Sequence, residues 1–230
     1  MGNFKKPFVF LCTGMSLDGK LSNYKKECSP ISSDDDREFL YDHRIIADAV
    51  MIGGNTLKLD DSGLTVKSPE RQNKRIKLGK PKEPMKVSVI LDASDLKTSG
   101  DFFDKGSGEK VIFTTRKTSE NKINEIKKKA KVFVLGNNLV NLKKALEILY
   151  KLGVRKLLVE GGGALIYELL KENLVDEINL KIGDLIIGGK DTVTLCDGQG
   201  FDKLNVKKVK FISVDKKPRF LILRAKIINR

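Results

Sequence analysis

The sequence predicts an α/β fold in which a mostly parallel central sheet ends in a C-terminal antiparallel ribbon. Three observations predict it. Short apolar runs of strand length alternate with helix-period patterns through most of the chain, the signature of βα units feeding a parallel sheet. Several of these runs end in turns rich in glycine or threonine, where open α/β sheets present their ligands. The last three apolar runs follow one another with no long helix between them, so they pair as an antiparallel ribbon.

In chain order, residues 8–12 form a continuous apolar run, read as a buried strand, and Ser16-Leu17-Asp18-Gly19-Lys20 follows as a turn. Ser32 and Ser33 precede Asp34, Asp35 and Asp36, the capping and acidic first-turn chemistry of a helix start. Phe39, Leu40, His43, Ile46 and Ala47 mark the apolar side of that helix. Residues 49–52 make the next strand, ending in Gly53-Gly54-Asn55-Thr56. Residues 67–84 are polar, basic and proline-bearing, and are expected to be a long loop. Residues 87–91 and 111–113 are strands, the second ending in Thr114-Thr115-Arg116. Ile123, Ile126 and Ala130 mark a helix face, 132–135 a strand, and Leu142, Ala145, Leu146 and Leu149 a further helix. The strand at 156–159 runs into Glu160-Gly161-Gly162-Gly163, and Leu165, Leu169 and Leu170 lie on the helix that follows. The closing ribbon takes 175–182, 206–214 and 220–228, with a turn at Lys216-Lys217-Pro218.

Of 230 residues, 40% are hydrophobic, enough for one sizeable core. A chain of this size buries about 70% of its unfolded surface. One domain over residues 1–230 is expected, with no linker and no internal repeat. Apolar residues recur throughout, which excludes disorder as the main theme, and no run approaches the length of a membrane span. Residues 7–15 are apolar, but Asp18 and Lys20 follow at once, so a strand is expected there rather than a signal peptide. A cytoplasmic location is the default expectation. The net charge of +14 favours anionic ligands: nucleic acid, phosphorylated metabolites or dinucleotides. The lysines are scattered rather than gathered in a stripe, and there is no tryptophan, which argues against a stacking platform for single strands. Cys12, Cys28 and Cys196 are far apart and His43 is the only histidine, too few ligands for a zinc site, so no metal is expected.

Three strand ends carry small or polar residues that let backbone amides approach an anion. They are Gly53 to Thr56, Thr114 to Arg116 and Glu160 to Gly163. Each is compatible with tight packing as well as with a phosphate cradle, and three together point to a dinucleotide. Thr115 and Arg116 suit a phosphate such as a nucleotide 2′-phosphate. Neither a G-x-x-x-x-G-K-[ST] loop nor a G-x-G-x-x-G fingerprint is present. Asp18, Lys20, Asp60, Asp61 and Glu160 are the polar candidates for a substrate site, with Asp60-Asp61 equally readable as a solvated turn. His43 reads as a packed structural residue.

These residues resemble a known family. Met15-Ser16-Leu17-Asp18-Gly19-Lys20-Leu21 resembles the "SLDGK" segment of the riboflavin-biosynthesis pyrimidine reductases. Asp48 to Thr56 is similar to their "D-x-x-x-x-G-x-x-T", and Asp60-Asp61 with Leu64-Thr65-Val66-Lys67 to "DDPxLTVR". Val159-Glu160-Gly161-Gly162-Gly163, Leu174-Val175-Asp176-Glu177, Gly188-Gly189 and Asp197-Gly198-Gln199-Gly200-Phe201 match the family's closing motifs in order. The resemblance runs from residue 7 to residue 201 and implies a dihydrofolate-reductase-like fold, a homodimer and NADPH as cofactor. It implies reduction of the ribosylamino side chain of a pyrimidine 5′-phosphate to ribitylamino. No H-x-E or P-C-x-x-C deaminase signature is present, so the chain resembles the stand-alone archaeal and fungal enzymes that act before deamination.

By the same resemblance, Thr56, Asp60, Leu91, Asp92, Ala93 and Ser94 lie near the cofactor, and Gly161, Gly162, Gly163 and Ala164 form the turn facing its pyrophosphate. Lys20, Ser33, Asp60, Lys67 and Glu160 match or replace positions lining the substrate pocket. Opening the sugar and reducing its anomeric carbon both call for proton donation, and Lys20, Asp60 and Glu160 are the candidates, with individual roles open. The chain departs from the pattern in two places. The proline and the arginine of "DDPxLTVR" are Ser62 and Lys67 here, and Ile46 stands where the family has an arginine. Arg44 or Lys67 is expected to supply the missing charge. A dihydropterin or dihydrofolate-type reductase of the same fold, and a basic nucleic-acid-binding module, are the competing readings.

Overall fold

The computed structural model describes residues 4–25 and 36–228. The chain opens on β1 (Phe8–Met15), followed by α1 (Asp36–Ile46), β2 (Ala49–Gly53), α2 (Gly54–Asp60), α3 (Pro69–Lys77) and β3 (Met85–Val89). Next come α4 (Asp101–Asp104), β4 (Lys110–Thr114), α5 (Glu120–Lys127), β5 (Lys131–Val134), α6 (Leu142–Lys151) and β6 (Lys156–Gly161). It closes with α7 (Gly163–Lys171), β7 (Glu177–Gly183), β8 (Lys208–Lys216) and β9 (Phe220–Ile228). Two compact units form. One holds Tyr41–Leu158 with the N-terminal residues up to Phe8, and the other holds Val9–Leu40 with Val159–Arg230.

In the first unit the strand order is β5-β4-β3-β2, every pair parallel, with Val50 opposite Lys86 and Val87 opposite Val111. Parallel strands are covered on both faces, and β2 reads accordingly: Ala49, Val50 and Met51 are fully buried. The helices obey their own period. Leu142, Ala145, Leu146 and Leu149 give α6 a buried stripe at i, i+3, i+4 and i+7. Asn141 caps that helix by accepting from the Lys144 N–H at 2.9 Å.

In the second unit the order is β6-β1-β7-β9-β8, counting for β6 only its glycine end. β1 and β7 are parallel, whereas β9 pairs antiparallel with both β7 and β8. The expected ribbon is therefore present, with β8 beginning two residues later than the pattern suggested. A bulge between Phe211 and Ser213 shifts its register. The shift puts Val209, Phe211 and Val214 on one face with Ile227, Ala225 and Leu223 opposite them. All nine residues of β8 are exposed.

The expected loop at 67–84 is a correction. It contains α3, capped by Ser68 and opened by Pro69, and it buries Arg75 completely. The Arg75 guanidinium donates to the carbonyls of Arg44 and Ala47 at 2.6 and 2.7 Å, satisfying the C-terminal end of α1, and to that of Pro81 at 2.8 Å. A second buried cation, Lys86, donates to the carbonyls of Phe102 and Lys105 at the end of α4. The buried side of α1 is also turned from the expected one: Arg44 and Ile45 are buried, Ile46 is exposed and His43 is half-buried. The predicted cap at Ser32 and Ser33 lies outside the described residues.

Candidate functional site

In the second unit, two loops are stitched to each other around the end of β1. The backbone of Lys20 bridges that of Thr194, and the Leu21 N–H donates to the Val193 carbonyl at 2.8 Å. Asp18 is the clasp. Its carboxylate accepts from the Ser16 hydroxyl at 2.6 Å and from the N–H groups of Ile187 and Gly188 at 3.1 and 2.8 Å. The Ser16 hydroxyl and these amides hold the Asp18 carboxyl down at about 2. Asp18 is thus occupied in structure, while Lys20, half-buried, sits on the loop that it fixes.

Glu160 is half-buried at the end of β6, after the fully buried Leu157, Leu158 and Val159. A cis peptide joins Gly161 to Gly162. Gly161 has φ +122, open to glycine alone, and a Cβ there would point into open space. Gly162 then heads α7 without any side-chain cap, and Ala164 is exposed. With no side chain capping it from Gly162, this first turn has the form in which helix N–H groups can accept an anion. Gly163 serves packing: a Cβ would run into the Thr194 carbonyl oxygen and the Asp197 carboxylate. Asp197 in turn accepts from the Thr194 N–H at 3.1 Å, and its own N–H donates to the Gly163 carbonyl at 3.1 Å.

In the first unit, Gly53 precedes α2, again without a side-chain cap. A Cβ at Gly54 would lie 2.9 Å from Ile90, so this glycine is needed for close packing. Thr56 is half-buried and Asp60 exposed. Asp61 is half-buried and has a structural part: its carboxylate accepts from the N–H groups of Asp101 and Phe102 at 2.8 and 3.2 Å and caps α4. Arg44 is buried and donates to the Thr65 carbonyl at 2.7 Å, whereas Lys67 is exposed. Of the two residues expected to replace the missing arginine charge, only Lys67 is therefore presented to solvent.

Leu91, Asp92 and Ser94 are exposed in the turn after β3, and Ala93 is buried with its N–H on the Thr118 hydroxyl at 2.9 Å. Thr115 is buried, and its hydroxyl donates to the Leu91 carbonyl at 2.5 Å. It locks two strand-end turns together and presents no hydroxyl to solvent. Arg116 is exposed at the rim of a groove of about 470 Å³ whose polar lining also includes Thr118, Ser119, Glu120, Asn124 and Lys127. Sequence reasoning missed that groove, although Ser119-Glu120 is a legible helix start: the Ser119 hydroxyl accepts from the Lys122 N–H at 3.4 Å. Ser33 lies outside the described residues.

A parallel sheet whose strands lead into uncapped, glycine-headed helices belongs to the open α/β class, in which ligands bind at the strand ends. The fold is shared with solved pyrimidine reductases and is dihydrofolate-reductase-like. A pyrimidine reductase-like protein from Corynebacterium diphtheriae superposes with a TM-score of 0.82 at 20% identity, covering 97% of this chain and 93% of that one. The riboflavin biosynthesis reductase of Saccharomyces cerevisiae gives 0.70 at 21% identity, covering 99% and 92%. The family model for the RibD C-terminal domain matches residues 7–218, and the chain belongs to that family. It is 39% identical to the 2,5-diamino-6-ribosylamino-4(3H)-pyrimidinone 5′-phosphate reductase of Archaeoglobus fulgidus over 208 residues, 90% of this chain and 94% of the relative. It is 30% identical to the protein of the same name from Aquifex aeolicus, over 98% and 99%.

Proposed function

We propose that this chain is a reductase of riboflavin biosynthesis. It reduces the ribosylamino side chain of a pyrimidine 5′-phosphate to ribitylamino, at the expense of NADPH, in the cytoplasm. The kinship with the archaeal reductase over nearly its whole length carries the reading. Residues 1–230 act as one reductase domain.

The cofactor's requirements fit the residues present. NADPH supplies a hydride and brings a pyrophosphate and a 2′-phosphate that need donors. The open first turn of α7, Gly162 to Ala164, offers backbone N–H groups to the pyrophosphate. Arg116 offers a forked cation at the rim of its groove, suited to the 2′-phosphate. Leu91, Asp92 and Ser94 lie exposed in the neighbouring turn, with Thr115 and Ala93 holding it from beneath. Thr56 and Asp60 border the same reading from α2. Lys67 supplies charge for the substrate phosphate, and Ser33 lends a hydroxyl to the substrate. Lys20 and Glu160 stand by the sugar, where one moves a proton during ring opening and the other orients the hydroxyls.

The chain acts as a homodimer. The exposed face of β8 supports this: Val209, Phe211 and Val214 are 39%, 64% and 57% exposed on one side of the ribbon. Contiguous apolar surface of that kind marks an interface.

The deciding experiment follows NADPH oxidation with the ribosylamino pyrimidine 5′-phosphate, and absence of turnover refutes the reading. Melting with each cofactor then tests Arg116, because a ligand bound only to the native state raises the melting temperature. NADPH is expected to stabilise the chain more than NADH, and Arg116→Ala is expected to abolish that difference. A variant that still discriminates removes Arg116 from the phosphate site.

A further inference from the structure

Two ionisable side chains of the first unit are buried without any place in the chemistry above. Glu83 is 4% exposed and Arg44 6%. Both end on the backbone of one short segment, residues 64–67. Glu83 accepts the Val66 N–H at 2.8 Å through one carboxylate oxygen and the Gln72 side-chain amide at 2.7 Å through the other. Arg44 donates from Nη1 to the Thr65 carbonyl at 2.7 Å. Adjacent residues are thus held from two directions, an N–H by an acid and a carbonyl by a base.

The segment needs such holding. Leu64 has φ +48 and Lys67 φ +74, in the left-handed region that residues bearing a Cβ avoid. Backbone of this kind persists only where its surroundings over-determine it, and it gathers where function needs it. Leu64 and Val66 are buried, while Lys67, at the end of the segment, is exposed. General cross-linking does not explain the arrangement, because Arg75 already ties α1 to α3 through carbonyls. Glu83 and Arg44 are aimed at the residues that deliver one exposed cation.

We infer that Glu83 and Arg44 are positioning residues that fix the backbone from which Lys67 meets the substrate's phosphate. The inference rests on the proposed reading of Lys67 as the phosphate contact. Glu83→Gln keeps an acceptor but sets amide hydrogens against one of the two donors that it now serves.

The test is a double-mutant cycle on ribose 5-phosphate affinity, measured by titration calorimetry for wild type, Lys67→Ala, Glu83→Gln and the pair. Each single variant is expected to lose about tenfold in affinity, and the pair no more than Lys67→Ala alone. With the pyrimidine substrate, KM should rise by a similar factor in Glu83→Gln while kcat and the KM for NADPH hold. Arg44→Met reads the same cycle if Glu83→Gln does not fold. Penalties that multiply in the pair overturn the inference. So does wild-type affinity in any single variant, or a wild type that fails to bind the sugar phosphate. Lys67-dependent binding without any turnover of the pyrimidine refutes the reductase reading and leaves the positioning role standing. Turnover with multiplying penalties does the reverse.

Discussion

At the scale of single residues, the site is organised by acids and bases whose roles differ although their types do not. Asp18 and Glu160 are both carboxylates at the ends of second-unit strands. Asp18 closes three hydrogen bonds and is structural. Its depressed value sets a direction: the clasp adds stability above the ordinary aspartate value of 3.8, and this is lost as pH falls towards about 2. Asp18→Asn should therefore melt earlier than wild type at neutral pH, the gap narrowing as acid is added. A gap that stays constant with pH contradicts the clasp. Lys20→Ala and Glu160→Gln should each lower kcat by about 10²-fold, the usual size of a lost proton-transfer or substrate-orienting group. Rates near wild type in both would remove them from the reaction. The sequence identified these residue types but could not separate Asp60, exposed, from Asp61, which caps α4. Glu83 escaped notice, and Arg44 was expected to supply phosphate charge rather than to hold the Thr65 carbonyl, because a buried charge is chemically identical, in a sequence, to a solvated one.

Among the elements, the apolar strands and the stripe of α6 were legible because burial imposes periodicity directly. α3 was not, since its sequence Pro-Glu-Arg-Gln-Asn-Lys-Arg-Ile-Lys carries almost no apolar stripe. Its signal lay in Ser68-Pro69, a cap followed by proline at the first helical position, where the missing N–H does no harm. Its fully buried residue is an arginine held by carbonyls rather than by apolar neighbours. The glycine run after β6 combines several demands: Gly161 needs its φ, Gly162 leaves the helix uncapped, and Gly163 admits the close approach of Thr194 and Asp197. Gly163→Ala should destabilise the chain by about 1–3 kcal/mol, the usual cost of forcing atoms into a packed site. The midpoint of urea unfolding measures it, and an unchanged midpoint would show that the loop carrying Thr194 yields freely.

For the whole molecule, the charge of +14 restricts where two copies can meet. Val209, Phe211 and Val214 form an apolar face, whereas Lys208 and Lys210 alternate onto the other side of the ribbon. If the proposed dimer forms through this face, Phe211→Asp should sediment as a monomer where wild type sediments as a dimer, without lowering helix content by circular dichroism. A variant that still sediments as a dimer would move the interface elsewhere. Among the described residues no helix is long and apolar enough to cross a membrane.

The division of the chain also has a consequence for biogenesis. Apart from the N-terminal residues up to Phe8, the first unit is the uninterrupted stretch Tyr41–Leu158, whereas the second is assembled from Val9–Leu40 and the remote Val159–Arg230. During translation, β1 leaves the ribosome long before its partner β7 has been made. The inserted stretch can fold in the interval, while an apolar strand waits unpaired, the situation in which nascent chains stick to one another. Chaperone dependence of this chain should therefore concentrate on its first forty residues.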